Sequence, residues 1–168
     1  MRIISGKYKN RELLSPNSTK THPMGDRERL AVFNMLTSRL PDSTFEGKSV
    51  LDLFAGTGAL GLEALSRGAA SATFVENESK ALTVLKKNLA GVSEPVEILK
   101  KNVYSFTPEK NYDIIFLDPP YDKFDVKVLE FKRFLNKNGL LVLSYPKSVD
   151  LGLDSRAFAG CRISVIVV

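Results

Sequence analysis

The sequence predicts a doubly wound α/β fold built on a mostly parallel sheet. From Ser49 to Pro146, short apolar runs alternate with segments whose apolar residues recur at helical spacing. Strands separated by helices need crossover connections, and right-handed crossovers leave the strands parallel and covered on both faces. A glycine-rich turn, DLFAGTGALG (Asp52–Gly61), joins the first run to the first helix, where open α/β sheets carry their ligand loops. At 168 residues the chain suits a single domain spanning residues 1–168.

Residues 1–25 open with RIISGKYKNREL, two short segments around Gly6 and Lys7 that can pair as a hairpin, followed by the polar loop SPNSTKTHP. They are expected to form a small N-terminal β-hairpin appendage that contacts the substrate. From Asp26 the pattern turns helical, with Leu30, Phe33, Asn34, Leu36 and Leu40 at helical spacing, and Pro41 ends the run. SVLDLF then reads as a strand, ALGLEALSRG as a helix closing at Gly68, SATFVE as a strand and ESKALTVLKKNLA as a helix. VEILKKN, YDIIFLD and LLVLSYP are further strands, with VKVLEFKRFL as a helix between the last two. The tail RISVIVV is a final strand, placed at an edge or added antiparallel.

Composition narrows the partners. Hydrophobic residues at 43% and charged residues at 26% are ordinary for a globular protein. The net charge of +5 and the basic amino-terminal residues Arg2, Lys7, Lys9, Arg11, Lys20, Arg27, Arg29 and Arg39 make nucleic acid a candidate partner. The one cysteine, Cys161, cannot form an internal disulfide or a Cys-based zinc cluster, which fits a reducing cytosol. No stretch approaches the roughly 20 apolar residues that span a bilayer, and MRIISGKYKN lacks a signal-peptide core. A cytoplasmic location, no membrane, no metal and a monomeric state are the expectations.

In the glycine loop, Gly56 and Gly58 let the backbone turn tightly and approach a ligand. With Gly61 they also match G-x-G-x-x-G, and Glu76 follows about 20 residues on at the end of the next strand. Two ligands compete. A dinucleotide would lay its pyrophosphate on the helix amino terminus, whereas S-adenosylmethionine (SAM) has no phosphate. Asp52 favours SAM, because a carboxylate before the glycines repels pyrophosphate and attracts the cationic methionine end. Glu76 can accept two hydrogen bonds from a ribose diol. Asn102, closing the third strand, can offer a donor and an acceptor to an adenine edge, or simply form a turn.

The segment FLDPPYD (Phe116–Asp122) ends a buried run in a carboxylate, two prolines and a tyrosine. The prolines stiffen the chain as it leaves the sheet. An exocyclic amino group on a base is a poor nucleophile, since its lone pair is delocalised into the ring. Two rigid acceptors, the Asp118 carboxylate and the Pro119 carbonyl, can hold its hydrogens and free the lone pair, while Tyr121 stacks on a flipped-out base.

Taken together, RIISGKYKNREL, DRERLAVFNML, DLFAGTGALGLEALSRGA, FVE and FLDPPY resemble the RsmD family of bacterial methyltransferases, in this order and over nearly the whole chain. The resemblance implies a Rossmann-like SAM-dependent methyltransferase fold and methylation of the 2-amino group of a guanine in small-subunit (16S) ribosomal RNA. It also implies that Asp52, Phe54, Gly56 and Gly58 shape the SAM pocket, that Glu76 binds the ribose and that Asn102 lies near the adenine. Asp118, Pro119, Pro120 and Tyr121 would receive the guanine, and ribosomal RNA or the small subunit would be the partner. Where many members have Arg-Pro-Thr before the Asp-Arg helix, this chain reads THPMGDR, which bears on the role of Arg27. His22 is a base-contacting group or a loop residue. An adenine 6-amino methyltransferase would use the same DPPY chemistry, and a non-catalytic RNA-binding assembly factor would keep the fold without the reaction. A nicotinamide oxidoreductase would need a hydride-transfer site that the sequence does not offer.

Overall fold

The computed structural model describes residues 1–16 and 24–168; His22 and most of the polar loop before the first helix lie outside them. Seven strands form one sheet in the order β3-β2-β1-β4-β5-β7-β6, made of β1 (Ser49–Leu53), β2 (Ser71–Glu76), β3 (Val96–Lys100), β4 (Tyr112–Leu117), β5 (Leu135–Pro146), β6 (Arg156–Ala157) and β7 (Cys161–Val167). The first five run parallel, as the alternation predicts, and the tail strand β7 adds antiparallel to β5. β7 is not the edge, because the two-residue β6 pairs along its outer side. Chain order reverses between β1 and β4, so a crevice opens beyond the carboxyl ends of these two strands.

Each strand alternates between two cores. Val50, Ile114, Phe116, Leu140 and Val142 face α1 (Asp26–Arg39), α2 (Ala59–Ser66) and α3 (Ser79–Leu89). Leu51, Leu53, Ile115, Leu117, Leu141 and Leu143 face the opposite layer, which contains Val128 and Phe131. That second layer corrects an expectation. VKVLEFKRFL does not form an α-helix; Val126–Phe134 is a run of 3₁₀ turns opened by the Asp125 side chain accepting from the Lys127 amide at 2.9 Å. Its buried residues Val128 and Phe131 are three apart, the repeat that eclipses side chains in 3₁₀ geometry.

Two further expectations are revised. On α1 the buried stripe is Arg29, Val32, Phe33 and Leu36, while Leu30 and Asn34 face outward. The Arg29 guanidinium is fully buried and donates to the Arg2 carbonyl and to Asp26, which fixes this face inward. The amino-terminal segment pairs through a single bridge, Arg2 with Glu12, and sends Ile3 and Leu13 into the main core rather than standing off as an appendage. It clamps α2: the Ile4 and Ser5 amides donate to the buried Glu63 carboxylate at 2.7 and 3.1 Å, and the Lys7 amide donates to the Ser66 carbonyl at 2.7 Å. Gly6 lies so close that a Cβ would sit 1.7 Å from the Ser66 carbonyl oxygen.

Candidate active site

The crevice is built from the ends of three adjacent strands. After β1 the backbone turns through left-handed conformations at Phe54 (φ 62°), Gly56 (φ 55°) and Gly58 (φ 79°) before α2 begins. A Cβ on Gly58 would meet Leu85 at 2.5 Å, so this turn demands glycine for backbone and space alike. Gly61 plays a different part: it brings α2 against β2, where a Cβ would strike Phe74 at 2.4 Å. At Gly56, by contrast, a Cβ would meet only the Phe54 carbonyl oxygen, at an ordinary 3.8 Å.

Three carboxylates surround this turn. Asp52 is buried on β1 and accepts from the Gly61 amide at 2.9 Å, tying the first turn of α2 to the sheet. Burial pushes its carboxyl well above the usual range; the Gly61 hydrogen bond opposes this, and Asp118 and Glu76 add to it. Glu76, ending β2, accepts from the Gly56 amide through one oxygen (2.9 Å) and from the Asn77 and Glu78 amides through the other (2.8 and 2.7 Å). Its carboxylate is thereby locked in place against the glycine turn. Asp118, directly after β4, is partly buried, and its carboxyl is pushed up to about 6 by desolvation, with the Ser144 hydroxyl pulling it part of the way back. Among the described residues, no group of three His, Cys, Asp or Glu side chains stands close enough to hold a metal ion.

The remaining expected residues take less uniform positions. Asn102 follows β3, is exposed, and spends its side-chain oxygen capping the next turn at the Tyr104 amide (3.0 Å), leaving its NH₂ outward. Pro119 is buried and Pro120 half-buried, as a rigid exit from the sheet requires. Tyr121 is half-buried against the α1 core, and its hydroxyl lies 2.5 Å from Ser144 Oγ, so the ring is tethered instead of loose. Of the basic residues, Arg2, Lys9 and Arg27 are exposed. Lys7 pairs with Glu94 at 2.7 Å and Arg11 donates to the Ala90 carbonyl, so both cations are engaged within the chain.

Two residues that sequence reasoning passed over also join the crevice. Tyr104 sets its ring edge-on to Phe54 at 5.5 Å and donates its hydroxyl to the Lys123 carbonyl at 2.7 Å, linking the β3 and β4 loops. Ser144 on β5 is fully buried among apolar strands. Neither carries a local motif; only strand order brings them here.

A left-handed glycine turn after β1, a fixed carboxylate at the end of β2 and a buried carboxyl on β1 are the features that the sequence associates with a SAM site. Fold and site together define a SAM-dependent methyltransferase. The family model described as "Conserved hypothetical protein 95" matches residues 1–162. A Buchnera aphidicola protein named "Ribosomal RNA small subunit methyltransferase D" is 37% identical over 153 residues, covering 86% of this chain and 78% of the relative. The Escherichia coli K12 protein of the same name is 40% identical over 124 residues, covering 72% of this chain and 60% of the relative. A solved structure from Thermus thermophilus, described as that of a hypothetical protein, superposes with a TM-score of 0.86 at 31% identity, covering 100% of this chain and 99% of that one. The chain belongs to this family, the RsmD methyltransferases.

Proposed function

We propose that this enzyme transfers the methyl group of SAM to the exocyclic 2-amino group of a guanine in small-subunit ribosomal RNA; its relatives' shared name supports the small-subunit RNA, and the DPPY chemistry supports an exocyclic amino group. The observation that carries the chemistry is Asp118. Its carboxylate ends the strand next to the glycine-loop strand, across the point where strand order reverses, in surroundings that disfavour an unpartnered charge. A donor arriving from the substrate relieves that cost.

In this reading Asp52, Phe54, Gly56 and Gly58 shape the cofactor pocket, Glu76 takes the ribose through its remaining acceptor capacity, and the Asn102 NH₂ faces the adenine. Bound SAM supplies a methyl group on a sulfonium sulfur, which leaves with the C–S electron pair when a nucleophile attacks. The Asp118 carboxylate and the Pro119 carbonyl hold the two amino hydrogens and direct the nitrogen lone pair. Pro120 keeps the acceptors rigid and the Tyr121 ring forms a wall for the base. After transfer the nitrogen sheds one proton, for which Asp118 is the adjacent acceptor. Arg2 and Arg27, both exposed, are assigned to phosphate contacts; Met1, next to Arg2, contacts Thr57 of the glycine loop. The chain acts as one domain, as a monomer, in the cytoplasm and without a metal. No helix among the described residues is long and apolar enough to cross a membrane.

The test is transfer of labelled methyl from SAM to small subunits made in cells lacking the enzyme, with nucleosides identified by mass. N2-methylguanosine is expected. Methylated adenosine, or no label, would overturn the assignment.

A further inference from the structure

The DPPY clamp has a partner from outside its own segment. β4 and β5 are in parallel register with Ile114 opposite Leu140 and Phe116 opposite Val142, so the next same-face position sets Asp118 beside Ser144. Ser144 is 0% exposed, and its other neighbouring strand presents Ile163, which offers its side chain no polar partner. A buried hydroxyl in such a place needs partners. Its hydroxyl meets Tyr121 Oη at 2.5 Å, and the register places the Asp118 carboxyl beside it on the same face, where a hydroxyl favours the charged form.

Resting on the reading above, we propose that Ser144 is a positioning residue for amino-group methylation: its hydroxyl accepts the Tyr121 proton and donates its own to Asp118, setting both at the angle the base requires. The direction of this chain follows from the groups present. Asp118 is faced by Asp52 from β1, by Tyr121 and by Ser144, with Cys161 of β7 lying beside Tyr121. Burial and the Asp118 charge both push the phenol up, so Tyr121 keeps its proton and donates it. The single Ser144 proton is then left for the carboxylate. One small side chain thus holds the acceptor that grips the amino group and the ring that backs the base.

Ser144→Ala, Ser144→Thr and Tyr121→Phe separate this role from simple packing. Ser144→Ala is expected to lower kcat about 10- to 100-fold, the scale found when a supporting partner of a functional group is removed. KM for SAM should stay unchanged, and the acid limb of the kcat profile should move to higher pH. Ser144→Thr restores most of the activity and the original limb. Tyr121→Phe lowers kcat without raising the limb, since Ser144 still donates to Asp118. Carboxyl-carbon NMR of Asp118 in the wild type and Ser144→Ala reads the same contact without turnover, and an upward-shifted titration is expected in the variant. An unmoved Asp118 titration, or a Ser144→Ala enzyme with wild-type kcat and limb, overturns the proposal. Failure of the wild type to methylate guanine would instead count against the functional reading, which the NMR titration does not depend on.

Discussion

Two regions of this molecule bury carboxylates, and they treat them differently. In the amino-terminal clamp, Glu63 receives the Ile4 and Ser5 amides and Arg67 Nε, and the Arg67 guanidinium in turn lies over the Phe33 ring at 4.7 Å. At the strand ends, Asp52 receives one amide and Asp118 stands at the register position beside Ser144. The first carboxylate is saturated by the chain itself; the others keep acceptor capacity in places where water is scarce. Unfilled acceptors at a topological switch point are costs that folding alone would not retain. The contrast separates a structural acid from a functional one better than burial does.

The largest effect should come from Asp118→Ala. Removing one preorganised polar group from a transition-state site costs about 10²–10³ in kcat, and in the proposed mechanism Asp118 also receives the departing proton, so a loss at or above the upper end is expected. SAM affinity by calorimetry should stay within a few fold. Full activity in that variant would remove the clamp from the mechanism. The mirror experiment is Glu63→Ala, which leaves Arg67 and two amides without their acceptor. Breaking a buried pair in this way costs about 3–5 kcal/mol, read by urea unfolding, with kcat per folded molecule little changed. A stable Glu63→Ala protein would mean that the clamp is dispensable and the comparison misdrawn.

A smaller effect, with a telling sign, lies in pH. Asp118 titrates near 6 in the folded protein, above the unfolded value of about 3.9, so the folded state binds the extra proton between these limits. Stability contributed by Asp118 therefore falls as pH rises through about 4 to 6, the range in which activity appears as the carboxylate forms. Glu94 runs the other way. The Lys7 and Tyr8 hydrogen bonds outweigh its desolvation and hold it at about 2, so its contribution is present above the unfolded value and lost as pH falls towards 2. Asp118→Asn should accordingly stabilise the protein at pH 7, by on the order of 1 kcal/mol, while abolishing turnover. A variant less stable than the wild type at that pH would show that the carboxylate is a structural group after all.

Much of this division could be read from residue order. The glycine turn, the strand-ending Glu76 and the DPPY exit announce themselves because each is a local chemical pattern. The parallel sheet follows from alternation, and the antiparallel placement of β7 is one of the two that its position in the chain suggests. The rest depends on neighbours far apart in the chain. Ser144 looks like any polar residue in LLVLSYP until the β4–β5 register sets it beside Asp118. Arg29 reads as a surface cation of a helix until the Arg2 carbonyl and Asp26 claim it. The 3₁₀ run after DPPY reads as α-helical because apolar periods of 3 and 3.6 can hardly be separated over nine residues.

The smallest predicted effect tests the same contrast on the basic residues, whose charges look equivalent in sequence. Lys7 is held by Glu94 and Ser93, and the turn that bears it sits on Ser66 at the carboxyl end of α2. That end is about 12 Å from the glycine turn by the rise of an eight-residue helix. Arg2 and Arg27 lie at the other end of the clamp, near the Met1–Thr57 contact and the first turn of α1. Each phosphate contact that releases a counterion contributes a little under one unit to the slope of log affinity against log salt. Arg2→Ala and Arg27→Ala should each flatten that slope for ribosomal RNA by about this amount, whereas Lys7→Ala should leave the slope in place and lower only the melting temperature. Equal slope changes for all three would mean that the clamp opens to meet the RNA, and the line drawn between a structural amino terminus and a functional crevice would have to move.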